Sequence, residues 1–214
     1  MQPHSLYLHI PFCQKRCSYC DFNTFAGIGH LIPDYVDALC EEIRLMRTYF
    51  GDAVPVHTVF FGGGTPSLLS GAQFEQIFDR IYQSFAVPPQ AEISIEANPG
   101  TVTQAYLNVL HKVGVNRLSF GVQTLQKQHY ELMGRIHDFE DAIQAVKFAR
   151  KAGFDNLNLD LIYGLPDQTL DEWQLTLERI LDFHPEHISL YALGIEEDTP
   201  LYDWVQRGLV NEPD

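Results

Sequence analysis

No stretch of this 214-residue chain approaches the roughly 18 consecutive apolar residues of a membrane span. The opening MQPHSLYLHI has no basic segment followed by an apolar one, so it does not read as a secretory leader. Positive charge is scarce: 14 Lys and Arg face 28 Asp and Glu, a formal charge of -14. That balance lacks the basic footprint that holds nucleic-acid phosphates or an anionic membrane surface, so nucleic acid is excluded as an expected partner. Cysteine is sparse too, with 4 residues, three of them crowded between positions 13 and 20 and Cys40 standing apart. Thiols so close together are poorly placed for a disulfide framework and suit metal binding in a reducing compartment, so a soluble, cytoplasmic protein is the expectation. Low-complexity linkers and internal sequence repeats are missing, and with 45% hydrophobic residues the chain reads as one α/β domain.

What the chain does have is an alternation of two periodicities. Short apolar runs rich in β-branched and aromatic residues predict strands at Ser5 to Ile10, Val56 to Phe61, Glu92 to Glu96, Asn116 to Gly121, Asn156 to Tyr163 and His187 to Leu193. Between them run helical stripes. One is Val36, Leu39, Cys40, Ile43 and Phe50; a second is Phe74, Ile77, Phe78, Ile81, Tyr82 and Phe85, capped by Ser70. A third is Phe139, Ala142, Ile143, Val146 and Ala149, between a capping Asp138 and Gly153, and Thr169 with Glu172 forms a capping-box pattern for a fourth. Crossover helices make consecutive strands parallel, and right-handed connections curl them in one direction. About six such units predict an open, partial (β/α)6 barrel with parallel strands.

Parallel β/α architectures place their sites at the carboxyl ends of the strands. Those ends carry Cys13, Cys17 and Cys20 after the first strand, Gly62-Gly63-Gly64-Thr65-Pro66 after the second, Glu96 and Asn98 at the third, Gln123 at the fourth, Asp160 within the fifth, and Tyr191 and Ala192 at the sixth. Three thiolates spaced C-x3-C-x2-C can ligate three irons of a cubane and leave the fourth open to a small molecule. The competing reading is a structural zinc site, which wants a fourth ligand such as His9 or Cys40. Cys40, on the apolar stripe of its helix, reads as a small buried hydrophobe, and His9 and His137 read as hydrogen-bonded structural residues. Consecutive glycines let backbone approach a ligand closely, although a simple tight turn explains them equally well. Glu96 and Asp160 interrupt apolar strands, where an unpaired carboxylate is costly, so both are expected to point into the barrel mouth; the alternative is a carboxylate turned to solvent or paired with Arg. Arg135 is either a carboxylate clamp or an ordinary exposed loop residue.

The run YLHIPFCQKRCSYC from Tyr7 to Cys20 resembles the cluster loop of radical S-adenosylmethionine (SAM) enzymes related to oxygen-independent coproporphyrinogen III oxidase. The resemblance continues through FFGGGTPSLL from Phe60, IEANPG from Ile95, RLSFGVQT from Arg117, LMGRIH from Leu132, LDLIYGLP from Leu159 and ISLYALGIEEDTPLY from Ile188. It implies that Cys13, Cys17 and Cys20 hold a 4Fe-4S cluster whose open iron is chelated by SAM. It further implies that Gly63, Gly64 and Thr65 meet the methionine amino group, that Glu96, Gln123, Arg135 and Asp160 bind polar groups of methionine and ribose, and that Tyr7, Tyr19 and Ala192 line the pocket. The shared chemistry of the family is reductive cleavage of SAM to methionine and a 5'-deoxyadenosyl radical, which needs an external electron donor of the flavodoxin or ferredoxin type.

Two branches of that family differ just after the triad. The oxidase branch, which decarboxylates coproporphyrinogen III propionates, carries a further cysteine two residues beyond it; here the sequence is Cys20-Asp21-Phe22. Phe22 resembles the heme-chaperone branch, whose members bind heme and pass it to respiratory proteins. The resemblance also implies a C-terminal portion of about 150 residues, comparable to a domain. The turn-like Asn211-Glu212-Pro213-Asp214 therefore reads as a truncation of a radical SAM core domain, residues 1–214. An apolar patch near Trp204 or the sixth strand, and association such as a homodimer, are the expected consequences.

Overall fold

The computed structural model describes residues 4–51 and 54–213. Six parallel strands, β1 (His4–Ile10), β2 (Val56–Gly63), β3 (Glu92–Ala97), β4 (Arg117–Gln123), β5 (Leu157–Tyr163) and β6 (His187–Ala192), pair in strict chain order. β1 and β6 do not pair with each other, so the sheet is the expected open, partial barrel of six strands. The connections carry α1 (Ile32–Phe50), α2 (Gly71–Ser84), α3 (Gln104–Val113), α4 (Lys127–Leu132), α5 (Phe139–Lys151) and α6 (Leu170–Leu181), and α7 (Pro200–Gln206) follows β6. Among the described residues no helix is long and apolar enough to cross a membrane.

Strand alternation divides the sheet into two faces. One set of positions, including Val59 and Phe61, Ile93 and Ile95, Leu118 and Phe120, and Leu157, Leu159 and Leu161, joins the helices in a single buried core. At its centre Phe61 of β2 meets Phe74 and Phe78 of α2, with ring centroids 5.2 and 5.5 Å apart. The intervening positions Ser94, Glu96, Ser119, Asn158, Asp160 and Ser189 are polar. Register sets Ser119 beside Asn158, and Asp160 beside Gly121 and Ser189, so the concave side is a polar channel.

The caps form where expected. Ser70 Oγ accepts from Gln73 N at 3.3 Å, and the Gln73 side chain accepts from Ser70 N at 2.8 Å, completing a capping box on α2. Asp138 and Thr169 do the same for α5 and α6. Ser70→Ala is expected to cost about 1 kcal/mol, measured as a fall in the urea midpoint with an unchanged slope. Cys40 is 7% exposed within the core, as its place on the stripe requires. Phe50, by contrast, is 52% exposed at the carboxyl end of α1, where its ring meets His4 at the start of β1 with centroids 5.9 Å apart. Around β6, Leu190 and Tyr191 are 48% and 54% exposed and Leu209 is 61% exposed, while Trp204 is half-buried, so the apolar surface lies on the strand more than on the tryptophan.

Candidate functional site

The cluster loop is built by backbone before any cysteine matters. Beyond β1, Gly64 N donates to Ile10 O and Thr65 N to Phe12 O, each at 2.8 Å, which carries the parallel ladder into the loop. Phe12–Cys13 then pairs with Phe25–Ala26, closing positions 14–24 into a self-contained excursion. Ser18 pins the far side: its N donates to Met133 O at 2.9 Å and its Oγ to Leu132 O at 2.7 Å. The three motifs at Tyr7, Phe60 and Leu132 are therefore one hydrogen-bonded unit.

This unit and the carboxyl ends of β3 to β6 enclose a cavity of about 360 Å³. Cys13, Cys17, Cys20, Tyr19, Gly63, Gly64, Thr65, Glu96, Gln123, Arg135, Asp160 and Ala192 all line it. Tyr7 does not. It is 59% exposed, stacks on Phe60 with centroids 6.1 Å apart, and its hydroxyl meets His9 Nδ1 at 3.1 Å. Thr24, Ser119 and Glu196 line the cavity without having been singled out in the sequence. Ser119 had a legible signal: it occupies the same strand face as Gly121 and Gln123 in RLSFGVQ.

All three loop cysteines are free thiols. Thr65 Oγ1 lies 3.8 Å from Cys13 Sγ, and Arg135 Nη1 lies 4.0 Å from Cys17 Sγ, so two of the sulfurs each face a hydrogen-bond donor. Burial pushes the Cys13 thiol up, opposed by the hydroxyls of Thr65 and Thr24. Among the described residues no three His, Cys, Asp or Glu side chains gather at one ion-sized point. A cubane carries its three protein-ligated irons at separate corners, so thiols spread along one loop suit it. The fourth ligands that zinc would need are engaged elsewhere. His9 meets Tyr7 with one ring nitrogen and Asn23 O with the other at 2.9 Å, and Cys40 is in the core.

The polar half of the cavity is unfinished in a way that fits a polar organic ligand. Gln123 closes β4 at φ 74, where the ladder slips register, and its buried Oε1 has no partner. Such a left-handed glutamine is costly and persists where it aims a side chain. Arg135 donates through Nη2 to Gly121 O at 2.5 Å and Asn98 Oδ1 at 3.1 Å, while its buried Nε is left over. Glu96 Oε2 accepts from Gly63 N at 3.1 Å. Burial pushes the Glu96 carboxyl up to about 7, the Gly63 N–H opposing and the charge of Asp160 adding to the rise. Asp160 accepts from Ser119 Oγ at 2.9 Å and Asn158 Nδ2 at 2.7 Å. His137 sits behind Arg135, beside Gly100, with burial pushing its ring pKa down. It does not line the cavity, and its buried Nε2 has no hydrogen-bond partner.

Fold and site together define a partial-barrel protein in which a three-thiol loop faces a polar cavity. The family model of the radical SAM superfamily matches residues 7–180, and the chain belongs to that superfamily. It is 42% identical to the heme chaperone HemW of Synechocystis, over 100% of this chain and 52% of that protein. It is 41% identical to HemW of Escherichia coli, over 93% and 53% respectively. Among solved structures it resembles coproporphyrinogen III oxidase (HemN) from Escherichia coli, a radical SAM enzyme, with a TM-score of 0.84 and 34% identity over 97% of this chain and 51% of that one. The chain thus spans about half the length of the curated relatives it matches. Membership of the superfamily implies a 4Fe-4S cluster and SAM, and the free thiols with the orphaned Gln123 and Arg135 atoms fit both.

Proposed function

We propose that residues 1–214 act as the radical SAM core of a heme chaperone, with Cys13, Cys17 and Cys20 holding the cluster. The observation that carries this is the convergence of the thiol triad and the unsatisfied Gln123 and Arg135 atoms on one cavity. Bound there, the cluster would supply an electron for reductive cleavage of SAM. The chain's own residues bind and orient. Glu96, once ionised, faces the glycine loop, where it and the loop carbonyls accept from the N–H groups of the methionine amine; Arg135 and Gln123 take a carboxylate and hydroxyls; Asp160 accepts from hydroxyls. Tyr19, packed against Met133, Ile162 and Leu165, closes one wall against water.

Two features support the chaperone reading over porphyrinogen oxidation. Phe22, 65% exposed on the cavity rim, occupies the position where the oxidase pattern has a cysteine, and the curated relatives named above are heme chaperones. On this reading heme is the cargo, respiratory proteins are its recipients, a flavodoxin- or ferredoxin-type protein is the electron donor, and the thiol site works in a reducing cytoplasm. The test is anaerobic iron-sulfur reconstitution followed by electron paramagnetic resonance with and without SAM. The expected result is a cubane signal that SAM perturbs and that Cys17→Ala abolishes; zinc in place of iron would overturn the cluster assignment. Heme titration should shift the Soret band without any conversion of coproporphyrinogen III, and conversion with SAM and reductant would select the oxidase instead.

A further inference from the structure

Beneath the cavity floor lies a second polar layer that touches no ligand space. Asp160 and Ser119 line the cavity; Asn158, two residues earlier on β5 and 2% exposed, does not. The Asn158 amide is engaged at both ends. Nδ2 donates to Asp160 Oδ1 and to Ser119 Oγ, each at 2.7 Å, while Oδ1 accepts from Ser189 Oγ at 3.1 Å and from His187 Nδ1. Ser119 Oγ passes its own proton to Asp160 Oδ2 at 2.9 Å. A flipped amide would set its oxygen against the carboxylate, so the donors fix which way Asn158 faces.

Both Asp160 oxygens are thus held from below by donors on β4 and β5, and the amide that organises them is held by β6. A carboxylate has about four lone-pair positions, and the two bonds from below leave the others for the cavity. An apolar residue at 158 would leave Asp160 Oδ1, Ser189 Oγ and His187 Nδ1 each short of a partner, so the amide is what joins the three strands into one satisfied network. We infer that Asn158 is a positioning residue for SAM: it fixes the rotamer of Asp160 and ties the third, outermost strand of the network to the cofactor site. This rests on the reading above that Asp160 accepts from SAM.

The experiment is equilibrium SAM binding to reconstituted protein in a double-mutant cycle of Asn158→Ala and Asp160→Ala, with thermal melts alongside. Asn158→Ala is expected to weaken SAM about tenfold, and to change nothing further once Asp160 is alanine. A side chain that only supported the fold would instead give additive losses, which would overturn the inference. If Asp160→Ala leaves affinity unchanged, the reading of Asp160 itself fails, and the inference with it. If Asp160→Ala weakens binding and Asn158→Ala does not, only the positioning role falls. Should Asn158→Ala not fold, Ser119→Ala decides: a loss of affinity seen with Asp160 present and absent without it supports the network, and unchanged affinity overturns it.

Discussion

Glu96→Gln is expected to stabilise the cluster-free protein at pH 8 while weakening its hold on SAM. The Glu96 carboxyl is raised from its ordinary 4.5 to about 7, chiefly by burial. In the unfolded chain this group ionises near its ordinary value, whereas the folded chain keeps the proton until about 7. Between those values the native state binds more protons than the unfolded state, so stability falls with rising pH across that window and is flat above it. The shift corresponds to about 3 kcal/mol, discounted to about 2 kcal/mol because the carboxyl is not fully shielded. Gln carries no charge at any pH, yet its Oε1 can still accept from Gly63 N. The variant should therefore melt about 5 °C higher than wild type at pH 8, and the two should coincide near pH 4. An equal gain at both pH values would show that packing, not charge, is responsible.

The same titration runs the other way for the ligand. Amine N–H donors beside the glycine loop favour ionised Glu96, so SAM affinity of the wild type should rise as pH rises through about 7. In Glu96→Gln that rise should vanish and affinity at pH 8 should fall by tenfold or more, the scale of a hydrogen bond to a charged group. A site whose empty state is destabilised by its own charge gives up fold stability for ligand affinity.

Most of the architecture was legible in the sequence because two signals coincided at each element. The apolar runs of β1 to β6 ended within two residues of their observed limits, and Ser70, Asp138 and Thr169 marked helix starts by chemistry that acts locally. α3 was not singled out although Leu107 and Leu110 are buried on it and Thr103 caps it. With 10 residues it presents too few turns for its stripe to stand out. Phe50 misled because periodicity continues to the last residue of α1, where the exposed His4 at the start of β1 is the ring it meets. In the site, charged and sulfur-bearing residues stood out against apolar strands, and Ser119 could be read from the face it shares with Gly121 and Gln123, whereas Asn158 could not. Its role comes from lateral register between β4, β5 and β6, which no single strand displays. The placement of Tyr7 outside the cavity is likewise a register effect: it is level with Phe60 and Ser94, two residues short of Glu96 along the sheet.

The loop itself stands or falls with Gly64, and Gly64→Ala is expected to abolish cluster assembly. A Cβ at this position would lie 2.6 Å from Phe12 O, 3.0 Å from Ile10 O and 3.1 Å from Cys13 Sγ. Two of those neighbours are main-chain carbonyls that already accept from Gly64 N and Thr65 N, so relief requires breaking the ladder that carries Cys13. Overpacking against fixed backbone costs about 1–3 kcal/mol or more, and the displaced strand end moves the first ligand away from the other two. Gly62→Ala provides the contrast. Its Cβ would meet side-chain atoms of Phe60 at 2.8 Å and of Glu96 and Tyr7 at 3.1 Å, and the half-buried Phe60 ring can turn aside together with the exposed Tyr7 ring stacked on it. Iron content after anaerobic reconstitution should therefore be near zero in Gly64→Ala and close to wild type in Gly62→Ala. Gly64→Ala protein that loads a full cluster would mean that the glycine run serves the cofactor alone and that the backbone ladder does not set the position of the thiols.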